Sequence, residues 1–162
     1  MALIRSELVK NALASDTLVA LLKKTVPTMD RTLLRVSRGW VNTGMQSVAL
    51  IESVGAKSGL PRTIATLCMP VGRDLVLVGS NWGQDRDPAW IHNLRANPEC
   101  TVTFRGYRGP MTARELKGRD RDAMWQPLLR YNALLEGYQA GTQRELPVML
   151  LHRPEEDSAS TL

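Results

Sequence analysis

Residues 47–71 read SVALIESVGAKSGLPRTIATLCMPV. Two apolar, β-branched runs, "SVALIES" and "TIATLCMPV", flank a stretch, "VGAKSGLPRT" at 54–63, that holds two glycines, one proline and two cations. The runs read as strands, and the glycines and proline between them read as a connection. The same grammar continues downstream in "LVLVGSN", "CTVTF", "MTARELK" and "LPVMLLH", each bounded by turn residues. The tripeptide "GRD" at 72–74 predicts a tight hairpin, and "RGYRG" at 105–109 predicts another.

Helical spacing returns in "DPAWIHNLRANP" at 87–98, where Pro88 suits a first helical position, Asp87 suits an N-cap and Pro98 ends the element. It returns again from Asp120 through Tyr138. Upstream, Leu3, Leu8, Leu13, Leu18, Leu21 and Leu22, then Met29, Leu33, Leu34 and Val36, predict two amphipathic helices interrupted at "TVPT". The pattern predicts an α+β fold, mainly β: a small closed or split β-barrel of about six antiparallel strands with helices packed outside. The expected organisation is an N-terminal helical arm at 1–40, a barrel domain at 41–154 and a flexible tail at 155–162.

A chain of 162 residues fits one domain with a sizeable core. Of the formal charge of +5, most is N-terminal, where seven cations in residues 1–40 oppose Glu7, Asp16 and Asp30. Such an arm either faces an anionic membrane surface or forms the solvated side of two helices. Nucleic acid is a poor match, because the basic segment has no interleaved aromatics and no recognised binding motif. Cys68 and Cys100 have no metal-ligand spacing, so they read as buried thiols of a cytoplasmic, reducing compartment, and no metal site is expected. No stretch approaches the ~20 apolar residues needed to span a bilayer. A cytoplasmic protein, in contact with the inner face of the membrane if the arm binds there, is the expectation.

Two stretches carry candidate chemistry. If 54–63 joins two barrel strands, Gly55 and Gly59 turn backbone N–H groups inward, while Lys57, Ser58 and Arg62 add donors and charge around one small volume. That would be an anion cradle, without the GxxxxGK[ST] or GxGxxG pattern of nucleotide loops. A solvated turn is the alternative. In "GSNWGQDRDPAWIHNLRANP" at 79–98, Ser80, Asn81 and Gly83 end a strand, and Trp90 and Asn93 follow on a helix. The alternative there is a helix-capping loop with Trp90 as core packing.

Taken in order, "GAKSGLPRT", "SNWG", "DPAWIHNLRANP" and the late "YQAGTQRELPVMLL" resemble the deazaflavin-dependent nitroreductase family of actinobacterial oxidoreductases, over residues 46–152. The resemblance implies a split β-barrel that binds coenzyme F420. It implies that Lys57, Ser58 and Arg62, with Ala56 beside them, hold the phosphate and acidic tail, and that Thr63, Ile64, Ala65, Thr66 and Leu67 run along the ring. Val78, Gly79, Ser80 and Asn81 would line the other edge, and Ala89, Trp90, Ile91, His92 and Asn93 would close the pocket, Trp90 foremost. Ala56 stands where many members carry a second arginine. Of three family tyrosines ahead of the last strand, Tyr138 alone matches, with Asn132 and Leu135 at the other positions, so the substrate pocket is expected to differ from that of nitroimidazole-reducing members.

The implied reaction is hydride transfer from reduced F420 to a quinone, an enone or a similar small electrophile, with Tyr138 and Ser80 as candidates for protonating or hydrogen-bonding the product. His92 and His152 read as structural. The alternatives are an FMN-dependent reductase of the same fold and a non-catalytic carrier of a deazaflavin or fatty acid. A homodimer is expected by analogy with barrels of this type.

Overall fold

The computed structural model describes residues 47–155. The expected helical arm at 1–40 and nearly all of the expected tail lie outside the described residues. The fold within them is set by one antiparallel sheet of seven strands: β1 (Val48–Val54), β2 (Pro61–Leu67), β3 (Met69–Val71), β4 (Asp74–Val78), β5 (Glu99–Phe104), β6 (Tyr107–Leu116) and β7 (Val148–His152). The spatial order is β2-β1-β5-β6-β7-β4-β3, so the two edge strands are consecutive in the chain. Cys68 alone links them, its N–H donating to the carbonyl of Ser47 at 2.9 Å, and the sheet curls into a half-barrel.

The alternation along each strand divides the core into two faces. Ala49 and Ile51 of β1, Leu75 and Leu77 of β4, Val102 of β5, Met111 of β6, and Met149 and Leu151 of β7 gather on one side with Trp90, Ile91 and Leu94 of helix α1 (Ala89–Ala96). On the other, Val76, Val148 and Leu116 meet Leu128 of α2 (Gly118–Tyr131) and Leu135 of α3 (Leu134–Ala140). Arg121, only 7% exposed, fastens α2 by donating from Nη2 to the Leu146 carbonyl at 3.1 Å and lying over the Trp125 ring.

Three sequence expectations need correction. The run "TIATLCMPV" is two strands, divided at Cys68 where the chain crosses from one sheet edge to the other, so there are seven strands and not six. The turn after β5 is only Arg105 and Gly106, both left-handed at φ 44° and 84°, which suits the twist of a two-residue hairpin. Tyr107 to Gly109 therefore belong to β6, and Pro110 is tolerated because β7 pairs with β6 only from Thr112 onward. The helix expected from Asp120 through Tyr138 breaks at extended Asn132, whose Oδ1 accepts the Leu134 N–H at 3.1 Å and offers the backbone a local alternative to the helical bond.

Candidate functional site

The pairing of Val54 with Pro61 leaves residues 55–60 as the loop between β1 and β2. Inside it the Gly55 N–H donates to the Leu60 carbonyl at 2.9 Å and the Gly59 N–H to the Gly55 carbonyl at 2.9 Å. The glycine N–H groups therefore hold the loop's own turn and do not face a ligand, contrary to the sequence expectation. The side chains remain as candidate anion donors. Ser58 Oγ accepts from Arg62 Nη2 at 3.3 Å, and among the described residues no carboxylate pairs with Lys57 or Arg62.

The loop is fastened to α1. The Ala56 N–H donates to Oδ1 of Asn93 at 2.9 Å, so the two stretches singled out in the sequence meet here. On α1, Ala89 and His92 are exposed, Asn93 is half-buried, and Ile91 is fully buried. Trp90 is 9% exposed and packs in the main core, so its part in a pocket wall is as a backing. Thr63, Ile64, Ala65 and Thr66 are half-buried on the edge strand β2, and Leu67 is exposed.

The third component is the segment after β4. Gly79 packs so closely that a Cβ there would stand 2.8 Å from both Ile91 Cγ1 and Pro147 Cγ. Asn81 and Trp82 follow with φ of 43° and 59°, and a bulky residue held in that region costs about 1–3 kcal/mol. Arg144 holds the segment in place. Its Nη2 donates to the carbonyls of Gly79 at 3.0 Å and Ser80 at 2.9 Å, its Nε to that of Gln84 at 2.8 Å, and its Nη1 to Asp87 at 2.7 Å. Thr142 adds a bond to Asp85 at 2.7 Å. Asn81 Nδ2 donates to the Arg86 carbonyl at 3.0 Å, inside the same loop.

Asp87 is not the N-cap of α1. That position is Pro88, because both Asp87 oxygens are taken by guanidinium groups, Oδ1 by Arg144 and Oδ2 by Arg95 at 2.7 Å each. Two guanidinium partners satisfy both carboxylate oxygens with charge-assisted bonds, whereas an N-cap would engage only one of them. Arg95 also chelates Glu115, at 2.6 Å and 2.9 Å, and that hydrogen bonding holds the Glu115 carboxyl below its usual range. Sequence reasoning missed Arg144 and Arg95 as organisers of the site. Their only sequence signal was an isolated arginine in each of the two motifs.

Tyr138 lies half-buried beside this segment, and a Cβ at Gly83 would come within 3.3 Å of its Cα. Burial pushes its phenol above the ordinary value, further from ionisation at neutral pH. The Trp82 and Tyr138 rings form a T-shaped pair, centroids 6.3 Å apart and planes at 73°. Ser80 is half-buried and gives its carbonyl to Arg144. The histidines are elsewhere: His92 is exposed, and His152 Nδ1 lies 3.1 Å from Asp74 Oδ1 at the far end of β7. A cleft of about 210 Å³ at that far end, lined by Arg73, Phe104, Arg105, Tyr107 and Arg153 among others, includes none of the predicted site residues. Cys68 and Cys100 are buried free thiols, and no metal-binding cluster occurs among the described residues.

The sequence matches the family model for F420H(2)-dependent quinone reductase over residues 25–153. It is 35% identical over 107 residues to the F420H(2)-dependent quinone reductase Rv1261c of Mycobacterium tuberculosis, covering 64% of this chain and 72% of that protein. It is 28% identical over 102 residues to the putative F420H(2)-dependent quinone reductase Rv3178 of the same organism, covering 63% and 86%. Among solved structures, an F420-H2 dependent reductase, FDR-A, is similar with a TM-score of 0.60 and 30% identity over 65% of this chain and 93% of that one. A chain described as a domain-swapped dimer has a TM-score of 0.61 and 27% identity over 75% and 94%.

Proposed function

The chain belongs to the F420H(2)-dependent quinone reductase family, and we propose that the surface formed by residues 56–58, 62–67, 78–81, 89–93 and Tyr138 is where it holds the cofactor and meets the quinone. The protein is an F420H2-dependent oxidoreductase, with quinones as the acceptor class; the nitroreductase resemblance is looser, and neither FMN nor a non-catalytic carrier is favoured by the relatives. The observation that carries the placement is the pair of cations, Lys57 and Arg62, that no described carboxylate neutralises, on a loop pinned to α1 by Asn93.

That donor set fits an anionic cofactor tail. Lys57 and Arg62 would bind the phosphate and carboxylates, with Ser58 steadying the Arg62 guanidinium. Ala56 contributes its N–H to Asn93 and no side-chain donor, so the tail has one cation fewer than in relatives with arginine there. Thr63 to Leu67 and Val78 to Asn81 would flank the ring, and the α1 segment from Ala89 to Asn93 would back it, Trp90 and Ile91 from within the core. When bound, reduced F420 supplies a hydride. Tyr138, whose phenol carries its proton at neutral pH, would donate a hydrogen bond to the developing quinone oxyanion, with the Ser80 hydroxyl as second donor. Rigid attachment of the 79–87 loop by Arg144 keeps these donors at fixed positions, which is how a protein contributes orientation.

A homodimer is part of the same reading, supported by the likeness to the domain-swapped chain and checked by sedimentation velocity. No helix among the described residues is long and apolar enough to cross a membrane. Cytoplasmic placement is proposed, and contact of residues 1–40 with anionic vesicles is to be tested by co-sedimentation. The cofactor assignment is tested by titrating the protein with F420 and with FMN and following fluorescence. F420 should bind more tightly, and replacing Lys57 and Arg62 together by alanine should weaken it about 10- to 100-fold. Tighter binding of FMN, or unchanged F420 affinity in the double variant, would sink the assignment.

A further inference from the structure

On the reading that Ser80 and Tyr138 meet the quinone, we infer that Asp87 is a positioning residue for hydride transfer. It orients the Arg144 guanidinium, and through it the loop after β4, by tying both to the Arg95–Glu115 pair of α1 and β6. The loop needs such a tie because from Ser80 to Ala89 no residue is buried, although Gly79 and Trp90 on either side are. Apolar packing therefore does not place it, and polar ties do. Arg144 supplies most of them, donating to the carbonyls of Gly79 at 3.0 Å, Ser80 at 2.9 Å and Gln84 at 2.8 Å. Gly83 of the same loop packs on Tyr138, where a Cβ would stand 3.2 Å from the tyrosine carbonyl oxygen. A shift of the loop thus changes where Ser80 stands relative to Tyr138.

A guanidinium on a flexible stem meets three carbonyls at once only when its plane is fixed. Asp87 fixes it: Oδ1 takes Nη1 of Arg144 at 2.7 Å, which leaves Nη2 and Nε for the carbonyls. Oδ2 takes Nη1 of Arg95 at 2.7 Å, and Arg95 turns Nε and Nη2 to Glu115 at 2.9 Å and 2.6 Å. Glu115, Arg95, Asp87 and Arg144 therefore form a line of alternating charge from the sheet to the loop. Its origin is firm, because Glu115 stands opposite Met149 in the β6–β7 ladder and Arg95 rides on a helix seated by buried Ile91 and Leu94. The Asp87 and Arg144 side chains are each 16% exposed, and Asp87 is the only carboxylate paired with Arg144 among the described residues. Without the Asp87 charge, a largely desolvated cation is left to turn toward water, and the carbonyls lose their shared donor. Lys57 and Arg62 are not in this line, since their loop is held by Asn93 on the Ala56 N–H. The loss therefore falls on transfer and not on cofactor affinity.

The test compares wild type with Asp87→Asn, Arg144→Met, Glu115→Gln and the two double variants that combine Arg144→Met with each of the others. Asp120→Asn, which breaks the exposed pair with Arg114, is the control. Single-turnover oxidation of protein-bound F420H2 by saturating 1,4-naphthoquinone gives the transfer rate, and fluorescence titration gives the Kd for F420. Asp87→Asn should slow transfer about 10-fold with the Kd within about twofold of wild type, and the control should change neither. Because Asp87 acts through Arg144, Asp87→Asn/Arg144→Met should be no slower than Arg144→Met alone. Glu115→Gln, which reaches Arg144 only through Arg95 and Asp87, should slow transfer about 2- to 3-fold, and not at all in the Arg144→Met background. Effects that multiply in the double variants, unchanged transfer in Asp87→Asn, or a Kd that weakens in step with the rate would overturn the positioning role. If Asp87→Asn does not fold, Glu115→Gln decides: slowing that vanishes without Arg144 upholds the role, and slowing that persists, or none, overturns it. A wild type that binds F420 but transfers no hydride to naphthoquinone or benzoquinone overturns the quinone reading and the role with it. An active wild type with insensitive variants overturns the role alone.

Discussion

The backbone N–H of Ala56 and the side-chain Oδ1 of Asn93 are joined by a 2.9 Å hydrogen bond across 37 residues of sequence. Through it the basic loop after β1 takes its position from α1, whose own seat is fixed by fully buried Ile91 and Leu94. Replacing Asn93 by alanine removes the acceptor and should cost about 0.5–1.5 kcal/mol in urea unfolding. Asn93→Asp keeps an acceptor but places a carboxylate one hydrogen bond from the residue before Lys57. It should fold as well as wild type and bind F420 several-fold more weakly at low salt, with the gap closing at high ionic strength. An Asn93→Asp protein with wild-type affinity at low salt would contradict the placement of the anion site.

Arg144 supports the other wall. Its guanidinium meets three carbonyls and Asp87 at once, a set that a lysine ammonium cannot span. Arg144→Met should lower stability by about 2–3 kcal/mol and reduce kcat/KM, because Gly79, Ser80 and Gln84 lose their donor and the strained Trp82 backbone can relax. Arg144→Lys should fall between the two. Hydrogen exchange of the 79–87 segment should accelerate in both variants while that of β6 and β7 does not; uniform acceleration across the sheet would point to a merely global role.

The Arg95–Glu115 pair makes stability depend on pH in a definite direction. Hydrogen bonding to Arg95 lowers the folded-state pKa of Glu115. The contribution is therefore complete above the unfolded-state value, near pH 4.3, and is lost as pH falls through the lower folded value. Glu115→Gln should cost about 1 kcal/mol at pH 7, since both partners retain some exposure, and the difference from wild type should shrink toward pH 3. Urea midpoints at the two pH values check this, and a gap that widens in acid would refute it.

Cys68 and Cys100 should be inert in the folded protein. Burial pushes each thiol up to about 12, so almost no thiolate is present at pH 8, and Cys100 also donates to the Met111 carbonyl at 3.3 Å. A chromogenic disulfide reagent should label neither thiol under native conditions and both in denaturant. Rapid native labelling of either one would show that its strand opens far more easily than its burial implies.

Much of this was legible in the chain itself, for identifiable reasons. Strand periodicity in "LVLVGSN" and "LPVMLLH" reports a two-faced sheet directly, since Leu75, Leu77, Met149 and Leu151 face one core and Val76 and Val148 the other. The loop at 55–60 was visible from its glycines and the proline that follows it, and the helix at 89–96 from its spacing and Pro98. The break at Cys68 was not visible, because nothing local distinguishes a strand that continues from one that changes sheet edge. The hairpin of Arg105 and Gly106 was drawn too wide because Tyr107 to Gly109 look like turn residues until β5 pairs with them.

The sequence by itself determined the elements, the family resemblance and the residue types of the proposed anion site, because periodicity, turn chemistry and motif order are local properties of the chain. Tertiary structure decided which groups do what within that site. It turned the Gly55 and Gly59 N–H groups inward to their own loop, drew Asp87 from a helix cap to two arginines, and buried Trp90 while leaving Trp82 on the surface. Each of these outcomes depends on a partner far away in sequence. A hydrogen bond or a burial is a competition among all the groups that folding brings near, and no window of neighbouring residues contains the competitors.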